Sequence, residues 1–388
     1  MSPSLEVKEY LATAAPIAKV PNFAFAFDID GVLYRSGTVI PGAKEALRYL
    51  YDNNIPFILL TNSGGKHESD RVLELSKKFG VSISEENFVQ SHTPFKTLAE
   101  GSGSLADKTI LVAGGDEGKC RVVAEQYGFK SVVTPGDLLI GHPEIWPFNQ
   151  VFTMDYYRGH TRTLPCRINF EDSSKSLQIH AIFVFSSPRD WGLDTQVIVD
   201  VLTSRQGILG TRSVKNGDTS LANNGWQQDG QPTLYFSHSD LEWSTSYNIP
   251  RFGLGAFESC LEGVWSNLTD GQKLKRIAIG KPAFGTYDFA EKHLIKYRNE
   301  LLGRRAGKKQ SSPPLQRVFM VGDNPQSDIA GANNFNSPRG VDWTSILVNT
   351  GVHTTGSVPA HIPDVNVDDV LGAVKWALKQ QGWIGLED

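Results

Sequence analysis

Cysteine is scarce in this 388-residue chain, and the three present, Cys120, Cys166 and Cys260, are odd in number and far apart. That argues against a disulfide framework and for a reducing compartment. No apolar run approaches the ~20 residues that a membrane-spanning helix needs. Positive charge is in deficit, with 38 Lys and Arg against 42 Asp and Glu and a net charge of −4. No global basic field therefore draws the chain to nucleic acid. Internal repeats and low-complexity tracts are absent. Residues 1–20 lack both the Arg-rich, acid-poor composition of an organelle transit peptide and the hydrophobic block of a secretory signal. Taken alone, that suits a cytosolic chain or one whose presequence has been removed. What remains is an ordinary globular composition, 40% hydrophobic and 21% charged, which excludes general disorder, collagen and coiled coil. The length suits about two domains, since single cores stop growing near ~250–300 residues.

Phe23-Ala24-Phe25-Ala26-Phe27 is apolar at every position and runs straight into Asp28. A strand without alternation is buried on both faces, as parallel strands are when helices cover the sheet. Pro56–Thr61 reads the same way and ends in Asn62-Ser63-Gly64-Gly65. Helical stretches fit after each, the second over 67–79 and closed by Gly80. Strand–helix alternation of this kind implies an α/β fold with right-handed crossovers. Fresh strand–helix units begin at Thr109–Ala113 and Ala181–Phe185, separated by an irregular, aromatic-rich stretch over 145–178. Residues 214–232 read as turns or a hairpin. Arg276–Ile279, Val318–Val321 and Ser345–Val348 then resume the first pattern, and the basic Gly303–Lys309 stretch reads as a solvated loop. The expected architecture is α/β: a doubly wound, mainly parallel, Rossmann-like core sheet over 21–91 and 251–388, interrupted by an inserted α/β domain over 92–250.

Four of the expected core strands end in polar residues: Asp28-Ile29-Asp30-Gly31, Thr61-Asn62, Gly280-Lys281, and Gly322-Asp323 with Ser327-Asp328 just beyond. In a parallel sheet all carboxyl ends point to one edge, so groups remote in sequence converge in one crevice. Two unit charges ~4 Å apart repel by about 4 kcal/mol at an effective dielectric near 20. Asp28, Asp30 and Asp323 ionised together would cost on the order of 10 kcal/mol, against a domain's net stability of only ~5–15 kcal/mol. The cluster implies a bound cation, partial protonation, or both. Oxygen ligands favour a hard ion, and Mg²⁺ is the natural one where a phosphate also coordinates. With Lys281 and the Thr61 hydroxyl beside a free carboxylate, such a site suits a phosphoryl group.

The four motifs, Asp28-Ile29-Asp30-Gly31-Val32-Leu33, Leu59-Leu60-Thr61-Asn62, Gly280-Lys281-Pro282 and Gly322–Ile329, resemble in order those of the haloacid dehalogenase-like hydrolase superfamily. The long insert resembles the large α/β cap of its subclass IIA, and Gly141–Phe148, Pro188–Trp191 and Pro250–Phe257 resemble one branch of that subclass. The resemblance implies a Mg²⁺-dependent phosphohydrolase of a small phosphorylated molecule. Asp28 would be the nucleophile that forms an aspartyl-phosphate, and Asp30 the general acid and base. Thr61, Asn62 and Lys281 would bind the phosphoryl group. Asp28, Asp30 (through its backbone carbonyl) and Asp323 would hold the metal, and Asp328 would support the metal shell or Lys281. It also implies a mitochondrial location and admits a homodimer formed through the cap.

Other readings are weaker. A calcium loop starting at Asp28 needs oxygen ligands where Val32 and Val39 stand. Ala113–Cys120 approaches a phosphate-binding loop but lacks its first glycine and final hydroxyl, and reads as a strand–helix turn of the cap. His142, His160, His180 and His238 show no metal-ligand spacing, which favours core or surface roles. Packing is the preferred reading for Trp191, Trp226 and Trp243. A binding or regulatory protein that keeps the core is the alternative function; a nicotinamide-dependent oxidoreductase has only the α/β core in its favour.

Overall fold

The computed structural model describes residues 20–148, 152–305, 313–353, 355–383 and 385–386, so the amino-terminal segment 1–19 and most of the basic stretch lie outside it. Phe23–Phe27 is a strand buried at all five positions. It pairs in parallel with Phe57–Thr61 on one side and Arg317–Gly322 on the other. Outside these lie Phe88–Gln90 and, at the opposite edge, Asp342–Val348 followed by Val365–Val367, giving six parallel strands among the described residues. Both faces are covered, which is why the strand shows no alternation. Phe25 and Phe27 pack against the helices Ala43–Asp52 and Val370–Gln380 on one face, while Ala24 and Ala26 meet the helix Phe284–Arg305 on the other. The chain leaves Phe23–Phe27 toward Phe88–Gln90 and later re-enters beside it at Arg317–Gly322. The carboxyl ends of these two neighbours therefore flank the topological switch point, where ligands of doubly wound sheets bind.

The second sheet has five parallel strands in the order Ile277–Ala278, Thr233–Phe236, Ala181–Val184, Thr109–Ala113 and Ser131–Val133. This corrects one expectation. Ile277–Ala278, read as a core strand, pairs with Thr233–Phe236 in the second sheet. The helix Leu254–Leu268 likewise buries Leu254, Phe257, Leu261 and Trp265 in that sheet's core. The chain thus leaves the second sheet near Gly280, whose N–H still donates to the Ser237 carbonyl at 2.6 Å, and not near residue 250. Apolarity reports burial, and a short edge strand such as this one carries no mark of which sheet it joins. Residues 214–232 form turns and one short helical turn without a strand. All three cysteines are unpaired, as their number suggested.

The cap core carries a titratable group with a clear energetic signature. Asp194, in the first turn of the helix Trp191–Thr203, is 7% exposed. Burial, reinforced by the charge of Asp190 and opposed by a hydrogen bond from the Gly114 backbone, pushes its carboxyl up to about 8 from 3.8. The folded state then binds a proton that the unfolded chain has released, so stability falls as pH rises from about 4 through about 8. Asp194→Asn removes this dependence. Its thermal midpoint relative to the parent protein is expected to improve from about pH 5 to about pH 9; a difference that does not change with pH contradicts the assignment.

Candidate active site

Asp28 directly follows the central strand, and Lys281 reaches under it from the end of the cap segment. The Lys281 ammonium lies 2.8 Å from Asp28 Oδ1 and 2.7 Å from Asp328 Oδ1, and donates to the Leu60 carbonyl at 2.8 Å. It is 1% exposed. Burial alone would lower its pKa, but the two carboxylates prevail and hold it protonated. Carboxylate oxygens of Asp28, Asp323 and Asp328 lie within 4.8 Å of one another. Burial raises the pKa of all three. The charges of Asp28 and Asp328 raise Asp323 further, and Lys281 opposes the rise at Asp28. The cluster is thus short of positive charge even with Lys281 in place. A hard divalent cation fits this all-oxygen set.

The backbone around these acids leaves no room for side chains. Gly31 sits at φ +89°, and a Cβ there would lie 2.4 Å from Asp323 Oδ2; a Cβ on Gly322 would lie 2.2 Å from the Asp328 Cβ. Asp323 Oδ2 accepts from the Val352 N–H at 2.6 Å, and Asp328 Oδ2 from the Asn324 N–H at 3.0 Å.

All seven residues singled out from the sequence come together, but in two layers. Asp28, Asp30, Thr61, Asn62 and Asp323 line a cleft of about 470 Å³ between the sheets, while Lys281 and Asp328 lie behind its floor. Asp30 stands apart from the three clustered acids, and its carboxylate accepts from the Ser63 hydroxyl. The Thr61 hydroxyl oxygen accepts from the Ser63 N–H at 3.0 Å. Asn62 clamps the Lys281 peptide: its Oδ1 accepts from the Lys281 N–H at 2.9 Å and its Nδ2 donates to the Lys281 carbonyl at 3.0 Å.

The cleft also holds residues that sequence reasoning passed over. Ser63, Arg189, Asp240, Arg251 and Phe252 line it. His238 and Trp243 line it too, against the expectation of core, surface or packing roles, whereas Trp191 and Trp226 pack in the cap core. Burial and the nearby Lys281 charge push His238 down to about 3, so it is neutral near pH 7. Arg189, His238 and Asp240 follow strands of the second sheet, and Trp243, Arg251 and Phe252 form a two-stranded ribbon beyond them. The rule that sheet function gathers at carboxyl ends would have found the first three had it been applied to both sheets. The near-miss loop Gly114–Gly118 is, as read, the turn between a cap strand and the helix Lys119–Gln126.

Adding Mg²⁺ is expected to raise the thermal midpoint by a few degrees through preferential binding to the folded state. Asp323→Asn should remove most of that gain. An unchanged midpoint in the parent protein, measured by scanning calorimetry with Mg²⁺ against EDTA, contradicts a cation site here.

Residues 25–130 match the model of the haloacid dehalogenase-like hydrolase family, and residues 278–373 match a second model described as HAD-hydrolase-like. The chain is 41% identical over 372 residues to a cardiolipin synthase (CMP-forming)/mitochondrial hydrolase fusion protein of Schizosaccharomyces pombe. That match covers 95% of this chain and 55% of the fusion protein, so the chain spans about half of that relative's length. It is 37% identical over 372 residues to the mitochondrial hydrolase YKR070W of Saccharomyces cerevisiae, covering 92% of this chain and 96% of that one. Both names support the mitochondrial location over the cytosolic one. Among solved structures, a hypothetical protein from Pyrococcus horikoshii superposes with a TM-score of 0.54 at 19% identity, covering 92% of this chain and 99% of that one. A 4-nitrophenylphosphatase from Thermotoga maritima gives 0.51 at 17%, covering 92% and 98%. At these identities the structures speak for the fold. The fold, the convergence of its strand ends and the two hydrolase relatives agree: the chain belongs to the haloacid dehalogenase-like hydrolase family.

Proposed function

We propose that this hydrolase is a Mg²⁺-dependent phosphatase of a small phosphorylated metabolite, working through an aspartyl-phosphate on Asp28. The observation that carries the reading is the layering of the site. Asp28 faces the cleft with Lys281 behind it, Asp323 beside it and Asp30 held separately on Ser63. Asp28 and Asp323, with the Asp30 carbonyl, would hold Mg²⁺, which supplies charge compensation for a phosphoryl group. An Asp28 oxygen attacks phosphorus, the bond to the leaving oxygen breaks, and the Asp30 proton goes to that oxygen. Asp30, now ionised, takes a proton from water as the water oxygen attacks phosphorus, which frees phosphate and restores Asp28. The Ser63 hydroxyl orients Asp30 for both transfers. Thr61 contacts the phosphoryl end, whereas the Asn62 amide, spent on the Lys281 peptide and Asp240, holds the turn beside it. Lys281 acts across Asp28, because its three protons already point to Leu60, Asp28 and Asp328.

A cleft of about 470 Å³ falls within the usual ~300–1,000 Å³ for small-molecule pockets. Duplex nucleic acid and folded proteins fit poorly under a cap that covers the nucleophile. The name of the Thermotoga maritima protein points the same way. A mitochondrial metabolite is the natural substrate class.

Asp28→Asn is expected to lower Mg²⁺-dependent phosphate release at least ~10³-fold across a panel of phosphomonoesters, as befits loss of a nucleophile. Asp30→Asn should lower it by about 10²–10⁴-fold. Undiminished release by a correctly folded Asp28→Asn protein contradicts the reading.

A further inference from the structure

We infer that Asp240, a residue of the cap, positions the phosphoryl-site lysine by fixing the amide of Asn62; the inference rests on the phosphatase reading above. Asn62 is 5% exposed, and its amide is the clamp on the Lys281 peptide. The Lys281 N–H and carbonyl set which end of the amide is which, but they belong to the peptide being positioned and cannot anchor the clamp from outside. Asp240 anchors it. Its Oδ2 accepts the second Nδ2 proton of Asn62 at 2.8 Å. A flipped amide would set its oxygen against the Asp240 carboxylate and its N–H₂ against the Lys281 N–H.

The same carboxylate receives a hydrogen bond from the Ser327 hydroxyl. Ser327 belongs to the helical segment Pro325–Ile329, which also carries Asp328. One cap side chain therefore touches both flanks of Lys281: the Asn62 turn that grips its backbone and the segment that supplies one of its two carboxylate partners. Asp240 is fixed in turn. Its carbonyl accepts from the Gly255 N–H at 2.8 Å, and its own N–H donates to His238 Nδ1 at 3.3 Å. The loop that bears it packs on the exit from the cap, where Gly280 meets Ser237. Seating of the cap and placement of the lysine are thereby one event.

The test compares Asp240→Ala and Asp240→Asn with the parent protein. It measures Mg²⁺-dependent hydrolysis of 4-nitrophenyl phosphate, amide hydrogen exchange over residues 61–64 and 280–283, and thermal midpoints. Asp240→Ala removes hydrogen bonds to an ionised acceptor and should lower kcat about 10–100-fold with KM within about threefold. Exchange in both segments should quicken. Asp240→Asn still offers an oxygen to Asn62 and an N–H₂ to Ser327. It should recover most of kcat and the parent exchange pattern at a similar midpoint. The inference is overturned if Asp240→Ala keeps its kcat and its exchange, or if Asp240→Asn is as impaired as Asp240→Ala. A parent protein that hydrolyses no phosphomonoester refutes the phosphatase reading instead, and the exchange comparison then decides the positioning role alone.

Discussion

A lysine ammonium held almost entirely out of water has to be matched by acceptors, because an unpaired buried charge costs several kcal/mol. Lys281 is matched by two carboxylates and one strand-end carbonyl. Those three partners come from three places in the chain: the residue after the central strand, the penultimate residue of its neighbour Phe57–Thr61, and the segment after Arg317–Gly322. They meet only if the strands are parallel and in the observed register. The ion cluster and the sheet therefore require each other. Removing either carboxylate leaves a buried cation partly unmatched; removing the lysine leaves three acids crowded within 4.8 Å.

On the proposed phosphatase reading, the same crowding would serve the reaction. Lys281 compensates the acids from behind and leaves the cleft side of Asp28 and Asp323 open to a cation and a phosphoryl group. The two domains divide the labour. The core sheet supplies the charged floor, whereas loops after strands of the second sheet supply Arg189 and His238, and a separate two-stranded ribbon supplies Trp243, Arg251 and Phe252, around the rest of the cleft. Trp243 stands opposite Arg251 in a two-stranded ribbon, so an aromatic face and a guanidinium are presented side by side. On the phosphatase reading proposed above, selectivity would belong to that upper half.

Much of this was legible in the sequence because strand ends in a parallel sheet are a geometric constraint. Asp28, Thr61 and Asp323 each follow or close an apolar run, and the run shows where the polar residue must point. Ile277–Ala278 was misplaced because an edge strand's pairing is a tertiary fact that two half-exposed residues do not encode. Asp240 left no signal of its own. Its role comes from the Asn62 amide, 178 residues earlier, and nothing local distinguishes it from any polar residue after a strand. Trp243 was read as packing because aromatic residues usually are buried, and its 43% exposure over the cleft depends on the ribbon that carries it. The layering of Lys281 behind Asp28 was equally hidden, since spacing places residues at an edge without giving their depth.

The central claim is that Asp28 and Asp323, clustered in front of Lys281, form one cation site at the cleft floor. Anomalous diffraction from crystals soaked in Mn²⁺, a hard-ion surrogate for Mg²⁺, tests it most directly. The account predicts a single strong peak at about 2.1 Å from oxygens of both Asp28 and Asp323, with Lys281 still paired behind them. A peak elsewhere, or none at a concentration that occupies surface carboxylates, would contradict it.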